Sequence, residues 1–257
     1  IVTDSLCIPF ILMKRPEWDK FPGADDTYAF ETVLPDGKIL QIGTTHDLGQ
    51  RFAKAFNIQY ADEDKKKKYV YQTCFGPGIS RIFGAVVSIH GDDKGLIIPP
   101  AIAPVQVVIV PIFTGNTKVA VMQKAGELLG SLAEKGFRVS LDDRIQYTPG
   151  FKFHEWELKG VPVRIEIGPR DIEKNQVTVV RRDFLEKIAV PEEKLEEQLL
   201  EIMDSIGAQL LKRANEIMKI QDAKDLKDLK EKLKNGGFVR VPFCMEEKCA
   251  EKCEKEI

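Results

Sequence analysis

Two stretches of this 257-residue chain hold the residue types that handle a phosphate or a small polar ligand. Gly76-Pro77-Gly78-Ile79-Ser80-Arg81 is a glycine-rich bend that delivers an arginine to the start of an amphipathic pattern, Ile82, Ala85, Val86 and Ile89. Glycines let a nucleotide approach the backbone closely, and a guanidinium offers a planar fork for phosphate oxygens. The bend has neither the third glycine of a Rossmann fingerprint nor the Gly-Lys-Ser/Thr of a Walker loop. Gln41-Ile42-Gly43-Thr44-Thr45-His46 packs an amide, two hydroxyls and an imidazole where a strand passes into a helix. On residue types alone both stretches also have a plain structural reading: a turn with a surface arginine, and Thr45 or Asp47 capping a helix. A third cluster is sulfur. Cys7 and Cys74 stand apart, while Cys244, Cys249 and Cys253 crowd the last fourteen positions, too uneven a pattern for a disulfide scaffold.

These residues need elements to hold them. Pro35-Asp36-Gly37 is a turn signal, so Thr27–Leu34 and Lys38–Gly43 read as an antiparallel hairpin. Leu48, Phe52, Ala55 and Phe56 fall on one helical face, and Tyr69–Phe75 reads as a strand between that helix and the one after Arg81. Three prolines within 99–104 read as a semi-rigid connector and a domain boundary. Beyond it, the apolar run Val105–Ile112 suits a strand buried on both faces, and Val119, Met122, Leu129 and Leu132 form a helical pattern. Strand followed by helix suggests a parallel sheet, joined by strands at Phe137–Leu141, Val161–Ile167 and Gln176–Arg181. From Pro191, read as a first helical residue, the chain is helical and charged to about Lys219 and again over Lys224–Lys234, stopping at Gly236-Gly237.

The expectation is therefore an α/β and α+β multidomain chain, divided 1–100, 104–190 and 191–257. Composition agrees with a globular chain: 43% hydrophobic, 30% charged and a net charge of −2, which excludes a uniformly cationic nucleic-acid coat. No run reaches the length of a membrane span, so no membrane partner, no DNA and a cytoplasmic location are expected. Lys65–Lys68 reads as a solvated turn.

Five strings in order carry a family resemblance: Phe21–Asp25, Pro35–Phe56, His90–Pro100, Ala103–Pro111 and Tyr147–Arg170. Together they resemble the prolyl-tRNA synthetase family of class II, in the short form without an inserted editing domain. The resemblance implies part of a class II catalytic domain built on an antiparallel sheet over 1–100, an α/β anticodon-binding domain over 104–190, and the start of a small α+β zinc-type domain over 191–257. Gly76–Arg81 matches motif 3, which makes Arg81 the catalytic arginine on the ATP phosphates, although the loop from Cys74 is one residue longer than in some relatives. Gln41 and Thr44 match nucleotide contacts, and Phe21 and His46 match the lining of the proline pocket. Motifs 1 and 2, the dimer interface and a second phosphate arginine, are not among these residues. The chain thus reads as a C-terminal portion of a homodimeric ligase that uses ATP and Mg2+ to join proline to tRNA(Pro). One consequence of so small a pocket is that alanine is hard to reject, one methylene being worth only ~1–3 kcal/mol.

In the second domain Glu157 and Arg164 match positions that read the anticodon, with Lys152, Arg170 and Asp171 beside them. An arginine can donate twice to the O6/N7 edge of a guanine and a glutamate can accept from N1 and N2, which suits the two guanines of a proline anticodon. An ion pair between Glu157 and Arg164 is the plain alternative. Cys244 and Cys249 resemble the first half of the family's zinc site, which needs four ligands, so zinc is expected only in the complete protein. Two other readings stay open: a non-catalytic tRNA-binding or regulatory protein made of synthetase pieces, and an unrelated nucleotide-binding α/β enzyme.

Overall fold

The Pro35-Asp36-Gly37 turn closes as its residues dictate. The Leu34 N–H donates to the Lys38 carbonyl at 2.8 Å, Asp36 accepts from the Lys38 N–H, and Gly37 takes a φ of 83° that side chains resist. The computed structural model describes residues 1–257. In chain order its elements are α1 (Val2–Leu6), β1 (Ile11–Lys14), β2 (Asp26–Val33), β3 (Ile39–Gly49), α2 (Arg51–Ala55), β4 (Gln59–Ala61), β5 (Lys67–Tyr69), β6 (Gln72–Pro77), α3 (Ile79–His90), β7 (Val107–Pro111) and α4 (Lys118–Glu134). There follow β8 (Val139–Leu141), α5 (Pro149–Leu158), β9 (Val163–Ile167), α6 (Pro169–Glu173), β10 (Gln176–Arg181), β11 (Lys187–Pro191), α7 (Leu195–Ile217), β12 (Ile220–Asp222), α8 (Leu226–Leu233), β13 (Phe238–Arg240) and α9 (Glu247–Glu256). The chain forms two compact units, one of Ile1–Ile8 with Val86–Ala214 and one of Pro9–Ala85 with Asn215–Ile257.

The Pro9–Ala85 part is an antiparallel sheet in the order β1-β2-β3-β6. The hairpin is longer than its sequence pattern suggests, because β3 runs on through His46 to Gly49. Leu48 is therefore a strand residue, and the helix expected over 48–56 shrinks to the five-residue α2. Pairing with β6 explains the extension: Thr44, Thr45 and His46 lie opposite Gly76, Phe75 and Cys74, so cross-strand hydrogen bonds outweigh local helical periodicity.

The other unit holds a five-stranded sheet in the order β11-β10-β9-β7-β8. Strands β7, β8 and β9 are mutually parallel, as strand–helix alternation implies, while β10 and β11 follow antiparallel beyond β9, making the sheet mixed. Val107, Ile109, Val163, Ile165, Ile167, Val177 and Val179 are fully buried on one side with residues of α4 and α7, and Val108 and Val110 pack on the other with Phe153 and Trp156 of α5. Every residue of β7 is buried, as a strand covered on both sides requires. In α4 the buried face is Val121, Ala125, Leu128 and Leu132, which keeps the expected Leu132 but leaves the expected Val119 79% exposed. Pro191 ends β11 instead of opening the helix, since Lys187–Pro191 pairs with β10 and the α-helix begins only at Leu195. The proline-rich connector is fastened within this unit: Arg138 donates to the carbonyls of Pro100, Ala101 and Ala103.

Candidate functional site

Side chains on a regular strand alternate, so Gln41 and Thr44 would lie on opposite faces of β3. A β-bulge prevents this. Ala29 pairs with Thr44 and Thr27 with His46, but past the irregularity at Phe30/Glu31 the partner of Glu31 is Gln41. Thr27, Ala29 and Glu31 share a face, so Gln41, Thr44 and His46 share one too. On that face an Arg15–Glu31 ion pair forms, and Arg15 Nη2 also donates to Gln41 Oε1 at 2.9 Å, fixing the amide.

The bend Gly76–Arg81 meets this face from β6. The Gly78 N–H donates to the Ile42 carbonyl at 2.8 Å, and a Cβ at Gly78 would lie 3.1 Å from that oxygen, which accounts for glycine there. Arg81, on the first turn of α3, donates from Nη1 to the Gln41 carbonyl at 3.3 Å and is otherwise exposed. The structure thus brings Gln41, Thr44 and Arg81 together around one glycine bend. A few residues along, the His46 ring stands 4.8 Å from the Phe21 ring. Thr27, which is buried, bridges them: its Oγ1 accepts from the Phe21 N–H at 2.9 Å and lies 3.0 Å from His46 Nδ1. His46 is 9% exposed and Phe21 45%, an aromatic wall open on one side beside a nearly buried imidazole. Arg15, Thr27 and Glu31 escape sequence reading; their only signal is that Thr27 and Glu31 alternate in step along β2.

The second candidate site lies under α5. Arg164 alternates to the face opposite Val163 and Ile165, and its side chain is only 8% exposed. Nη1 donates to Glu157 Oε1 at 2.8 Å, Nε and Nη2 donate to Glu166 Oε1 at 3.1 and 3.0 Å, and the guanidinium stacks 4.2 Å from the Phe153 ring centre. Lys187 completes the group by donating to both Glu166 oxygens. Glu157 and Arg164 are brought together, and as an ion pair. The remaining expected residues disperse. Lys152 is 2% exposed and donates from Nζ to the Asp142 carbonyl at 2.8 Å, so it braces the loop before α5 and faces no ligand. Asp171 accepts from the Gly168 N–H at 2.9 Å as the cap of α6, beside an exposed Arg170. Burial alone would push the Asp142 carboxyl up, but hydrogen bonds from Arg144 and Trp156 and the charge of Lys152 hold it well below the usual carboxylate range.

Cys249 and Cys253 lie on α9 with Cys244 just before it. The Cys249 thiol is pushed up to about 11, first by its hydrogen bond with Cys244, then by burial and by the neighbouring thiols. Without a metal the thiol therefore keeps its proton, which a bound metal would displace. No group of three or more His, Cys, Asp or Glu is arranged to hold a metal ion, and these cysteines alone do not make a closed four-ligand zinc site.

Two family models match. "tRNA synthetase class II core domain (G, H, P, S and T)" covers residues 2–90 and "Anticodon binding domain" covers 106–202. Among curated proteins, the chain is similar to the proline–tRNA ligase of Thermofilum pendens, 50% identical over 254 residues, which is 98% of this chain and 53% of that protein. That of Pyrococcus abyssi is 48% identical over 255 residues (98% and 53%), and that of Methanobrevibacter smithii 44% over 257 residues (99% and 54%). The chain spans about half the length of the curated relatives it matches.

Proposed function

Because this chain belongs to the class II aminoacyl-tRNA synthetases, with a core segment and an anticodon-binding domain of that class, we propose that it is the C-terminal half of a cytoplasmic, homodimeric proline–tRNA ligase. The observation that carries the reading is the face on which the bulge gathers Gln41, Thr44 and His46 beside Arg81. There the proline carboxylate attacks the α-phosphorus of ATP, the bond to the bridging oxygen breaks, and pyrophosphate leaves. A terminal ribose hydroxyl of tRNA(Pro) then attacks the prolyl carbonyl and AMP departs. Arg81 sets its planar fork against the phosphates, while Gln41 and Thr44 hold the nucleotide. Mg2+ supplies further positive charge at the phosphates when bound. Phe21 and His46 wall the proline ring, and Thr27 holds both at once.

The functional segments on this reading are 1–100, 104–190 and 191–257, the second of which reads the anticodon through Glu157 and Arg164, with Arg170 exposed beside the sheet. Cys244 and Cys249 are read as half of a zinc site that needs ligands from elsewhere in the parent protein. The test is proline-dependent ATP–pyrophosphate exchange by the parent protein, together with binding of tRNA(Pro) by this chain. Exchange with proline above other amino acids is the expected result. Binding of tRNA(Pro) by this chain without any exchange by the parent protein marks a binding protein and overturns the ligase reading.

A further inference from the structure

Where the loop after β8 passes into α5, two aromatic rings serve no core. Tyr147 and Phe151 stack on each other with ring centres 4.5 Å apart and planes 15° from parallel, yet they stay 40% and 49% exposed. Arg144 lays its guanidinium 5.0 Å from the Tyr147 ring centre. The arrangement is held by polar contacts below it. Arg144 donates from Nε and Nη2 to the two Asp142 oxygens at 2.9 and 2.7 Å and from Nη2 to Glu155 at 2.6 Å. Asp142, itself buried, also accepts from Trp156 Nε1 at 2.8 Å, and its backbone carbonyl takes the buried Lys152 ammonium. Pro149 and the Thr148 cap, which accepts from the Phe151 N–H, fix the first turn of α5 under Phe151. Two exposed rings are thus preorganised by six charged or polar partners, which solvent-facing aromatics do not need for packing.

We propose that Tyr147 and Phe151, with Arg144 as the positioning residue, form a stacking platform for an unpaired base of the anticodon loop. The proposal rests on the tRNA reading of this domain given above. A nucleobase is the ligand whose chemistry fits: flat, two-faced, and satisfied by an aromatic or guanidinium plane without edge recognition. Phe151 sits on the same helix as Glu157, six residues before it, with Tyr147 in the loop just ahead, so one loop can place one base on the rings and another near the Glu157–Arg164 pair. Arg144 itself is committed to Asp142 and Glu155, so its part is to hold Tyr147, not to read a base edge.

The experiment uses the full 257-residue chain and an anticodon stem-loop RNA carrying 2-aminopurine in turn at each loop position, with Phe151→Leu, Tyr147→Leu and the conservative Tyr147→Phe. With the wild-type chain, one or two loop positions are expected to lose fluorescence on binding. Either leucine variant should weaken binding by about ten-fold and restore that fluorescence, equally for loops with guanines or adenines at the second and third anticodon positions, since stacking tolerates sequence. Tyr147→Phe should behave as wild type, and because both side chains are exposed the thermal midpoints should be unchanged. Wild-type affinity and quenching in both leucine variants overturns the platform while leaving the tRNA reading intact, and so does a loss confined to the guanine loop. Failure of the wild-type chain to bind any anticodon loop overturns the tRNA reading itself.

Discussion

His46 and Phe21 show how little separates a structural residue from a ligand-facing one. Both hang on Thr27, one by its ring nitrogen and the other by its backbone N–H, so the wall and the imidazole move together. Phe21 is the better probe, because it contributes a half-open aromatic surface and none of the sheet's hydrogen-bonded core. If the parent protein is the proposed proline–tRNA ligase, Phe21→Ala is expected to raise KM for proline by roughly ten-fold while KM for ATP holds, since on that reading only the amino acid would touch that wall. Equal changes in both constants would remove Phe21 from the proline pocket. Arg81 is probed through its geometry. Arg81→Lys keeps the charge and loses the fork, so pre-steady-state adenylate formation should slow by about ten-fold. A lysine variant running at wild-type speed would leave Arg81 as a helix-start residue that merely meets the Gln41 carbonyl.

At the scale of the element, β9 carries Arg164 on the face that α5 covers, where it meets Glu157 of α5. Arg164 is held on three sides by Glu157, Glu166 and Phe153. A substitution there would do more than remove a proposed reader of bases. Arg164→Ala leaves two poorly exposed carboxylates facing one lysine, and breaking such a buried pair typically costs about 3–5 kcal/mol. Urea denaturation is expected to show that loss, and an unchanged midpoint would mean the pair is loose and solvated. It follows that Arg164→Ala binding data need a stability control, and that Glu157→Gln, which keeps the shape and alters the acceptor, tests base reading more cleanly.

At the scale of the molecule, the unit built from Ile1–Ile8 and Val86–Ala214 gathers segments distant in the chain, and one ion pair ties two of them. Arg182 donates from Nη1 and Nη2 to the two oxygens of Asp92, ninety positions earlier, and from Nε to the Glu157 carbonyl. The Arg182 guanidinium beside it, more than any other group, brings the Asp92 carboxyl down from 3.8 to about 2. A carboxyl depressed in the folded state contributes stability that is present above its unfolded pKa and is lost as pH falls through the folded value. The window is therefore about pH 4 to 2. Asp92→Asn should lower the thermal midpoint at neutral pH, and the gap to wild type should close as the buffer is taken from pH 4 towards pH 2. A gap that persists unchanged at pH 2 would mean the charge of Asp92 contributes nothing.

Much of this was legible in the residues themselves. The Pro35-Asp36-Gly37 turn, the strand Gln176–Arg181 and the glycine bend before Arg81 all depend on contacts between near neighbours, so local pattern suffices to find them. The family strings belong to the same class, since they are properties of order and spacing. What tertiary structure alone decided are matters of facing. Alternation along β3 sets Gln41 against Thr44, and only a bulge that depends on pairing with β2 turns them to one side. Lys152, which the family resemblance sets beside Glu157 and Arg164, donates instead to Asp142, while Arg164 closes a charge group with Glu166 and Lys187 that no spacing announces. Pro191 looks like a helix start because proline favours that position, and it instead ends the strand Lys187–Pro191 because β10 offers that segment an edge. In each case the deciding partner comes from another element, and hydrogen bonds across elements override what the local sequence prefers.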